Sequence, residues 1–220
     1  MIKLIKGSCF GLHEVSTGSI DVVATDPPYG MSFQSNYRKE KHIKIENDSN
    51  LEWLPGWVLD LKRVSKEDAH LYIFCSWHNV DVFKKEFESV FNVKNILIWE
   101  KNNTGMGDLY GDYAPKYEMC LFISNGNKKL NNGRHSNIIK AKRTDNELHP
   151  TQKPVNLMEF LIEKSSKPGD LILDCFSGSG TTAIACHNLN RDFIGYEINE
   201  DYYNAAMKRI EQHTNQQKLF

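Results

Sequence analysis

The chain has 220 residues and a formal net charge of -1, so it is sized for one large domain and is no polycation; any grip on nucleic acid must come from local patches. Its five cysteines, Cys9, Cys75, Cys120, Cys175 and Cys186, are scattered with no C-x-x-C pair, which argues against a zinc ribbon or disulfide frame and for a reducing compartment. No signal peptide and no apolar run long enough for a bilayer is found, so the expectation is a cytoplasmic protein with no membrane partner.

In chain order, Met1 to Lys6 reads as a short strand closed by Gly7-Ser8-Cys9, and Phe10 to Thr17 as one or two helical turns. Ile20 to Asp26 is an alternating, β-branched strand stopped by two prolines. Residues 30–50 carry no apolar period and are expected to form a mobile loop. Leu51 to Val64 repeats apolar residues at spacings of three and four, a core-facing helix that Pro55-Gly56 should weaken or kink. Then come a strand at Leu71 to Cys75, a helix at Val80 to Phe91 and a strand at Val93 to Trp99. Lys101 to Lys116 reads as a loop, glycine-rich at Gly105-Met106-Gly107, followed by a strand at Tyr117 to Ser124. The long polar stretch 125–149 separates these from a helix at Pro154 to Ser165, a strand at Leu171 to Cys175 and a helix at Gly180 to Leu189. A strand at Asp192 to Glu197 and a helix at Asp201 to Glu211 complete the pattern, with 1–213 expected as one catalytic domain and 214–220 as a polar tail. Alternating strands and helices predict an α/β fold: a mostly parallel sheet with helices on both faces and ligands at the carboxyl ends of the strands. Asp26, Asp174 and Glu197 each fall at such an end.

Two stretches carry chemistry. Asp26-Pro27-Pro28-Tyr29 follows a strand directly. Prolines have no N–H and a fixed φ, so carbonyl oxygens are left free of the ladder at set angles. An acid before them and an aromatic ring after them would suit a planar ring bearing an exocyclic amino group. The second stretch runs Asp174-Cys175-Phe176-Ser177-Gly178-Ser179-Gly180-Thr181-Thr182. Its glycines allow close backbone approach to a ligand, a helix N-terminus follows, and Glu197 ends the next strand where a ribose-binding acid is expected. That pattern fits NAD or S-adenosylmethionine. Only some twenty residues follow Glu197, too few for the second half of a dinucleotide fold. An amino-ring clamp has a use in methyl transfer to nitrogen and none in hydride transfer, so S-adenosylmethionine is preferred.

These stretches resemble the DNA amino-methyltransferases of permuted, beta-type order, in which a D-P-P-Y motif precedes the F-x-G-x-G cofactor motif. His149-Pro150-Thr151-Gln152-Lys153-Pro154 is similar to the family's H-P-T-Q-K-P element. Phe193-Ile194-Gly195-Tyr196-Glu197-Ile198 resembles its acid-ending strand, and Tyr117-Glu118-Met119-Cys120-Leu121-Phe122 its Y-E-x-x-L-F strand. The resemblance implies a Rossmann-like, circularly permuted methyltransferase fold with S-adenosylmethionine as methyl donor, and Asp at the head of the tetrapeptide points to adenine N6. It makes Asp26, Pro27, Pro28 and Tyr29 catalytic. It places Ser8, Asp26, Lys153, Asp174, Phe176, Ser177, Gly178, Gly180, Thr181, Thr182 and Glu197 on the cofactor, with Lys153 near its end of the cleft and Asp174 by its methionine amino group. Ser8 stands where the family commonly has Asp, so the contact to the cofactor adenine is weakened or differently made. No metal is called for.

The implied substrate is double-stranded DNA with the target adenine flipped out of the stack. The short basic segment 125–148, with Arg134, Lys140, Lys142 and Arg143, is expected on phosphates, as are Arg38 and Lys41 of the loop 30–50. A second copy of the chain and a cognate restriction endonuclease are further partners this reading admits. Three alternatives stay open: cytosine-N4 methylation, RNA methylation, and a silent nucleic-acid-binding module.

Overall fold

Ile20–Thr25 (β2) shows why the sheet is central. Val22 and Ala24 point into one apolar core and Val23 into another, as the two-residue period of a strand requires. The remaining strands are β1 (Ile2–Lys6), β3 (Ser65–Cys75), β4 (Asn92–Glu100), β5 (Tyr117–Ser124), β6 (Ile138–Lys140), β7 (Leu171–Asp174) and β8 (Asp192–Glu197). The helices are α1 (Leu54–Val64), α2 (Val80–Glu88), α3 (Val155–Ser165), α4 (Thr181–Asn188) and α5 (Glu200–Gln216). This computed structural model describes residues 1–30, 50–104, 110–144 and 152–216. All of the expected loop 30–50 but its two end residues, including Arg38 and Lys41, lies outside the described residues, as do the Gly105-Met106-Gly107 run, His149-Pro150-Thr151 and the end of the tail.

The strands form one sheet in the order β1-β8-β7-β2-β3-β5-β4-β6. Every neighbouring pair is parallel except β3–β5 and β4–β5, so β5 alone among these strands runs backwards. α1 and α2 cover one face, where Trp57, Leu61, Phe83 and Phe87 are fully buried. α3, α4 and α5 cover the other through Leu161, Ile162, Ala185 and Ile210. Both faces being buried, the central strands carry unbroken apolar runs at Val22–Ala24, Leu71–Cys75 and Leu171–Leu173.

Four expectations shift. α1 begins at Leu54, not Leu51, because Pro55 then lies in the first turn, where its missing N–H has no partner to lose; no kink is needed. Phe10 to Thr17 forms turns with no α-helix, and Leu12 takes a left-handed φ of 38° while being buried. β3 starts six residues earlier than its apolar run, at Ser65, where it meets Ile20. α5 reaches Gln216, past the expected helix end at Glu211.

The polar stretch 125–149 also holds a strand, β6, pairing Ile98–Glu100 at the sheet edge. With three residues and only Ile139 buried, it has no periodic signal to read. Trp99 Nε1 donates to the Ala141 carbonyl at 2.9 Å and fixes the chain just beyond it.

Candidate active site

β7 leads leftward in the sheet to β8, and β2 leads rightward to β3. The gap between β2 and β7 is therefore the topological switch point, where open α/β sheets leave a crevice. Asp26 follows β2 and Asp174 ends β7, so strand order alone brings these two acids together. A shallow cleft lies there and is lined by Asp26, Lys153, Asp174, Phe176, Gly178 and Thr182 among others.

Asp174 is buried, and both its oxygens accept hydrogen bonds. Its Oδ1 accepts from Thr25 Oγ1 at 2.7 Å and from the Phe176 N–H at 3.1 Å, and its Oδ2 from Thr182 Oγ1 at 2.6 Å. Burial outweighs these bonds and pushes its carboxyl up to about 6. Thr25 also accepts the Cys175 N–H at 3.1 Å, so one hydroxyl couples the ends of both strands.

The glycine loop turns through positive φ at Gly178 (49°) and Gly180 (73°) before α4 starts at Thr181. A side chain at Gly180 would also press on Ile210 and Ala206 of α5, at 3.1 and 3.3 Å. Glu197 anchors the loop: Oε2 accepts the Gly178 N–H at 2.8 Å and Oε1 the Asn199 N–H at 2.9 Å. Arg209 of α5 donates to the Ser179 carbonyl and Thr181 Oγ1, both at 3.0 Å. Ser177 is buried with its N–H on the Tyr196 carbonyl. The Phe176 ring packs on Trp53 and Trp57, centroids 5.9 and 5.5 Å away.

Ser8 lies just past the pairing of Lys6 with Glu197 and is exposed, its Oγ accepting the Phe10 N–H at 3.2 Å. Neither Ser8 nor Glu197 lines the cleft between β2 and β7. They form its neighbouring rim at the ends of β1 and β8.

Asp26 is ion-paired. Lys153 Nζ donates to its Oδ2, and the Tyr29 hydroxyl donates to its Oδ1. Sequence reading made Tyr29 a stacking surface; here its hydroxyl is tied to the acid and its carbonyl accepts from Asn79 Nδ2. Pro27 and Pro28 are buried beside them. Lys153 is 6% exposed and reaches a second carboxylate, Glu118 Oε2, at 3.1 Å. Glu118 Oε1 in turn pairs with Lys101 at 2.7 Å. The charges alternate from Asp26 to Lys101. Burial raises the Asp26 carboxyl, and the Lys153 ammonium only partly offsets it. Burial pulls Lys153 down, but its two carboxylates prevail and hold it charged. Burial likewise raises Glu118, and Lys153 with Lys101 reverses the sign and holds it ionised.

Thr25, Asn79, Lys101 and Arg209 escaped the sequence reading, and Glu118 entered it only as part of a strand motif. Thr25 precedes Asp26 and Glu118 is second in its strand, so both carried a positional signal. Asn79 and Arg209 carried none.

The basic candidates separate. Lys140 ends β6 and Lys142 and Arg143 follow it, at the carboxyl end of the sheet that Asp26 also occupies; the Lys140 side chain is 81% exposed and the Arg143 N–H donates to Asn102 Oδ1. Arg134 is exposed in the loop entering the opposite end of β6, after Asn131, which is bonded to the end of α3. It is not brought together with the other three.

A mostly parallel sheet with a glycine loop and acid at one strand end, and a proline-locked acid at the next, defines a Rossmann-like methyltransferase fold of permuted order. Residues 20–208 match the family model of the N6/N4 DNA methylases, and the chain belongs to that family. It is 31% identical over 212 residues to YubD of Escherichia coli (strain K12), whose name places it with the methylases; 96% of this chain and 90% of YubD are covered. It is 26% identical to the DNA adenine methyltransferase YhdJ of the same organism, covering 91% and 79%. Among solved structures, the M1.HpyAVI–SAM complex matches with a TM-score of 0.72 and 27% identity over 96% of this chain and 100% of the other. The cytosine-N4-specific PvuII DNA methyltransferase matches with a TM-score of 0.78 over 97% and 90%, at 18% identity, a likeness of fold.

Proposed function

We propose that the chain is a site-specific DNA adenine-N6 methyltransferase that uses S-adenosylmethionine. The observation that carries this reading is the meeting of Asp26 and Asp174 in one cleft, the first beside two locked prolines and the second at the head of a glycine loop. The donor set fits such a cofactor. Asp174 offers a buried carboxylate to an amino group, and the Glu197 carboxylate stands at the end of β8 as an acceptor for ribose hydroxyls. The Gly178 turn leaves the backbone open to close approach. Lys153 and Phe176 close the cleft, and Ser8 stands by Glu197 at the rim for the adenine edge.

When bound, this cofactor supplies a methyl group on a sulfonium, an excellent leaving group. The chain's residues do the rest. Asp26 and the Pro27 carbonyl accept the two hydrogens of the target amine and aim its lone pair into the cleft, with Tyr29 against the flipped base. Positive charge on the nitrogen develops beside the Asp26 carboxylate, whose proton affinity is raised by burial; it is placed to take the proton the amine sheds. Lys140, Lys142 and Arg143 contact DNA phosphates at the same end of the sheet. Adenine is favoured over cytosine by the Asp at the head of the tetrapeptide and by the likeness to an adenine methyltransferase.

The test is to incubate the protein with S-adenosylmethionine and unmethylated genomic DNA, digest to nucleosides and analyse by mass spectrometry. N6-methyladenine is expected, with none from Asp26→Ala, which should still bind the cofactor. N4-methylcytosine would overturn the base assignment, and methylation by Asp26→Ala would overturn the role of Asp26.

A further inference from the structure

The four-charge chain Asp26–Lys153–Glu118–Lys101 is more than the methyl transfer requires. Asp26 must accept hydrogens from the incoming amine, yet both its oxygens are already engaged, one by the Tyr29 hydroxyl and one by the Lys153 ammonium. An ammonium in direct contact makes a carboxylate a poorer acceptor for anything else. Lys153 cannot simply withdraw, because it is 6% exposed and a buried unpaired ammonium is costly. Glu118 solves this: it sits 3.1 Å from the same ammonium, on an antiparallel strand whose register pairs Tyr117 with Glu100 and Glu118 with Trp99. Lys101, the residue just after β4, neutralises its other oxygen at 2.7 Å, and Lys101 is itself held over the Trp99 ring at 5.2 Å.

We propose that Glu118 is a positioning residue for methyl transfer: it holds Lys153 from the far side and takes the ammonium over when the target amine claims Asp26. Lys101 sets the strength of that pull. The inference rests on the function proposed above, and it assigns to the second residue of β5 a role in the reaction without contact to the base.

The groups facing Asp26 are Lys153, Glu118 and Tyr29, with Asp174 and the thiols of Cys75 and Cys120 behind them. Burial keeps both thiols neutral, that of Cys75 pushed up to about 12, so they add no charge near neutral pH. Those facing Glu118 are Lys153 and Lys101, with Asp26 and Tyr29 beyond Lys153. Removing the Glu118 charge deletes a repulsion that raises Asp26 and leaves Lys153 with one carboxylate to hold. The acid should then titrate lower and yield less readily to the amine. Removing Lys101 strengthens the pull of Glu118 on Lys153, and Asp26 should titrate higher. Charge proximity alone gives this opposite pair, so the positioning role is read from the transfer rate falling while cofactor affinity holds.

The experiment is a 13C NMR titration of the Asp26 side-chain carboxyl in full-length protein without cofactor, the resonance identified by its loss in Asp26→Asn. The midpoint is expected to fall in Glu118→Gln, rise in Lys101→Met and return toward the parent value in Glu118→Asp. In parallel, single-turnover methyl transfer to DNA by Glu118→Gln should drop roughly tenfold, with cofactor affinity changed less than about threefold. An unmoved midpoint, or a transfer rate within about twofold of the parent, would overturn the proposal. If Glu118→Gln does not fold, Lys101→Met carries the test with the opposite sign. Midpoints that move as expected in a chain that methylates no DNA would overturn the proposed function while establishing the charge coupling.

Discussion

The Thr25 hydroxyl donates to Asp174 Oδ1 at 2.7 Å, joining two strand ends 149 residues apart across the switch point of the sheet. The same oxygen accepts the Cys175 N–H, so the end of β2 and the turn after β7 are held by one side chain. Thr25→Val keeps the shape and removes both bonds. Buried groups left without a partner cost about 1–3 kcal/mol. Urea unfolding should report a loss of that size, and calorimetry a weaker cofactor affinity, because the Asp174 carboxyl would rise further and the loop would loosen.

On the proposed function, Asp174 should make cofactor binding depend on pH. Its carboxyl is raised to about 6, so near neutrality it is ionised and can hold a cationic amino group, while below about 6 it takes up a proton and loses that grip. Affinity measured by calorimetry between pH 5 and 8 should climb through pH 6 and then level off, and Asp174→Asn should bind weakly with no such step. The effect on stability has the opposite sign. A carboxyl raised on folding contributes stability that is full below its unfolded value near 3.8 and is lost as pH rises through about 6.

Lys153 lies between two carboxylates and is nearly inaccessible. Lys153→Met leaves Asp26 and Glu118 facing each other across an apolar side chain. Deleting one member of a buried ion network typically costs about 3–5 kcal/mol. Denaturant unfolding at pH 7.5 should show this loss, and it should shrink on acidification, as protonation of Asp26 removes the unpaired charge.

His70 predicts acid lability away from the cleft. Its Nε2 lies 3.1 Å from the Lys128 carbonyl, so that nitrogen donates, and its Nδ1 meets Ser165 Oγ at 2.7 Å as acceptor. The ring is therefore held neutral, and burial lowers its pKa to about 4. A base depressed on folding contributes stability that is present above its unfolded value of 6.5 and is lost as pH falls through about 4. The span corresponds to roughly 3 kcal/mol. Comparing the parent with His70→Gln by urea unfolding from pH 7 to 4 isolates it from the opposing drift of Asp174: the parent should lose more stability across this window.

The basic residues should differ in how they respond to salt. Each phosphate contact removed lowers the slope of log affinity against log salt by about 1. Lys140→Gln, Lys142→Gln and Arg143→Gln are expected to do so in fluorescence anisotropy with duplex DNA. Arg134→Gln should leave the slope unchanged, because Arg134 enters the opposite end of β6.

What the sequence determined by itself was local chemistry. The strand stopped by Pro27-Pro28, the glycine loop after Asp174 and the acid ending Ile194-Gly195-Tyr196-Glu197 were legible because period and turn residues report backbone geometry within a few residues. The parallel α/β class followed from their alternation. Only the tertiary structure decided that β2 lies beside β7, and hence that Asp26 and Asp174 share a cleft. It alone decided that Lys153 reaches both Asp26 and Glu118. It also separated Arg134 from Arg143 within one basic stretch, by threading a three-residue strand between them. Strand order and charge pairing are set by which buried faces and ions fit together across the whole sheet, and no window of neighbouring residues contains that information.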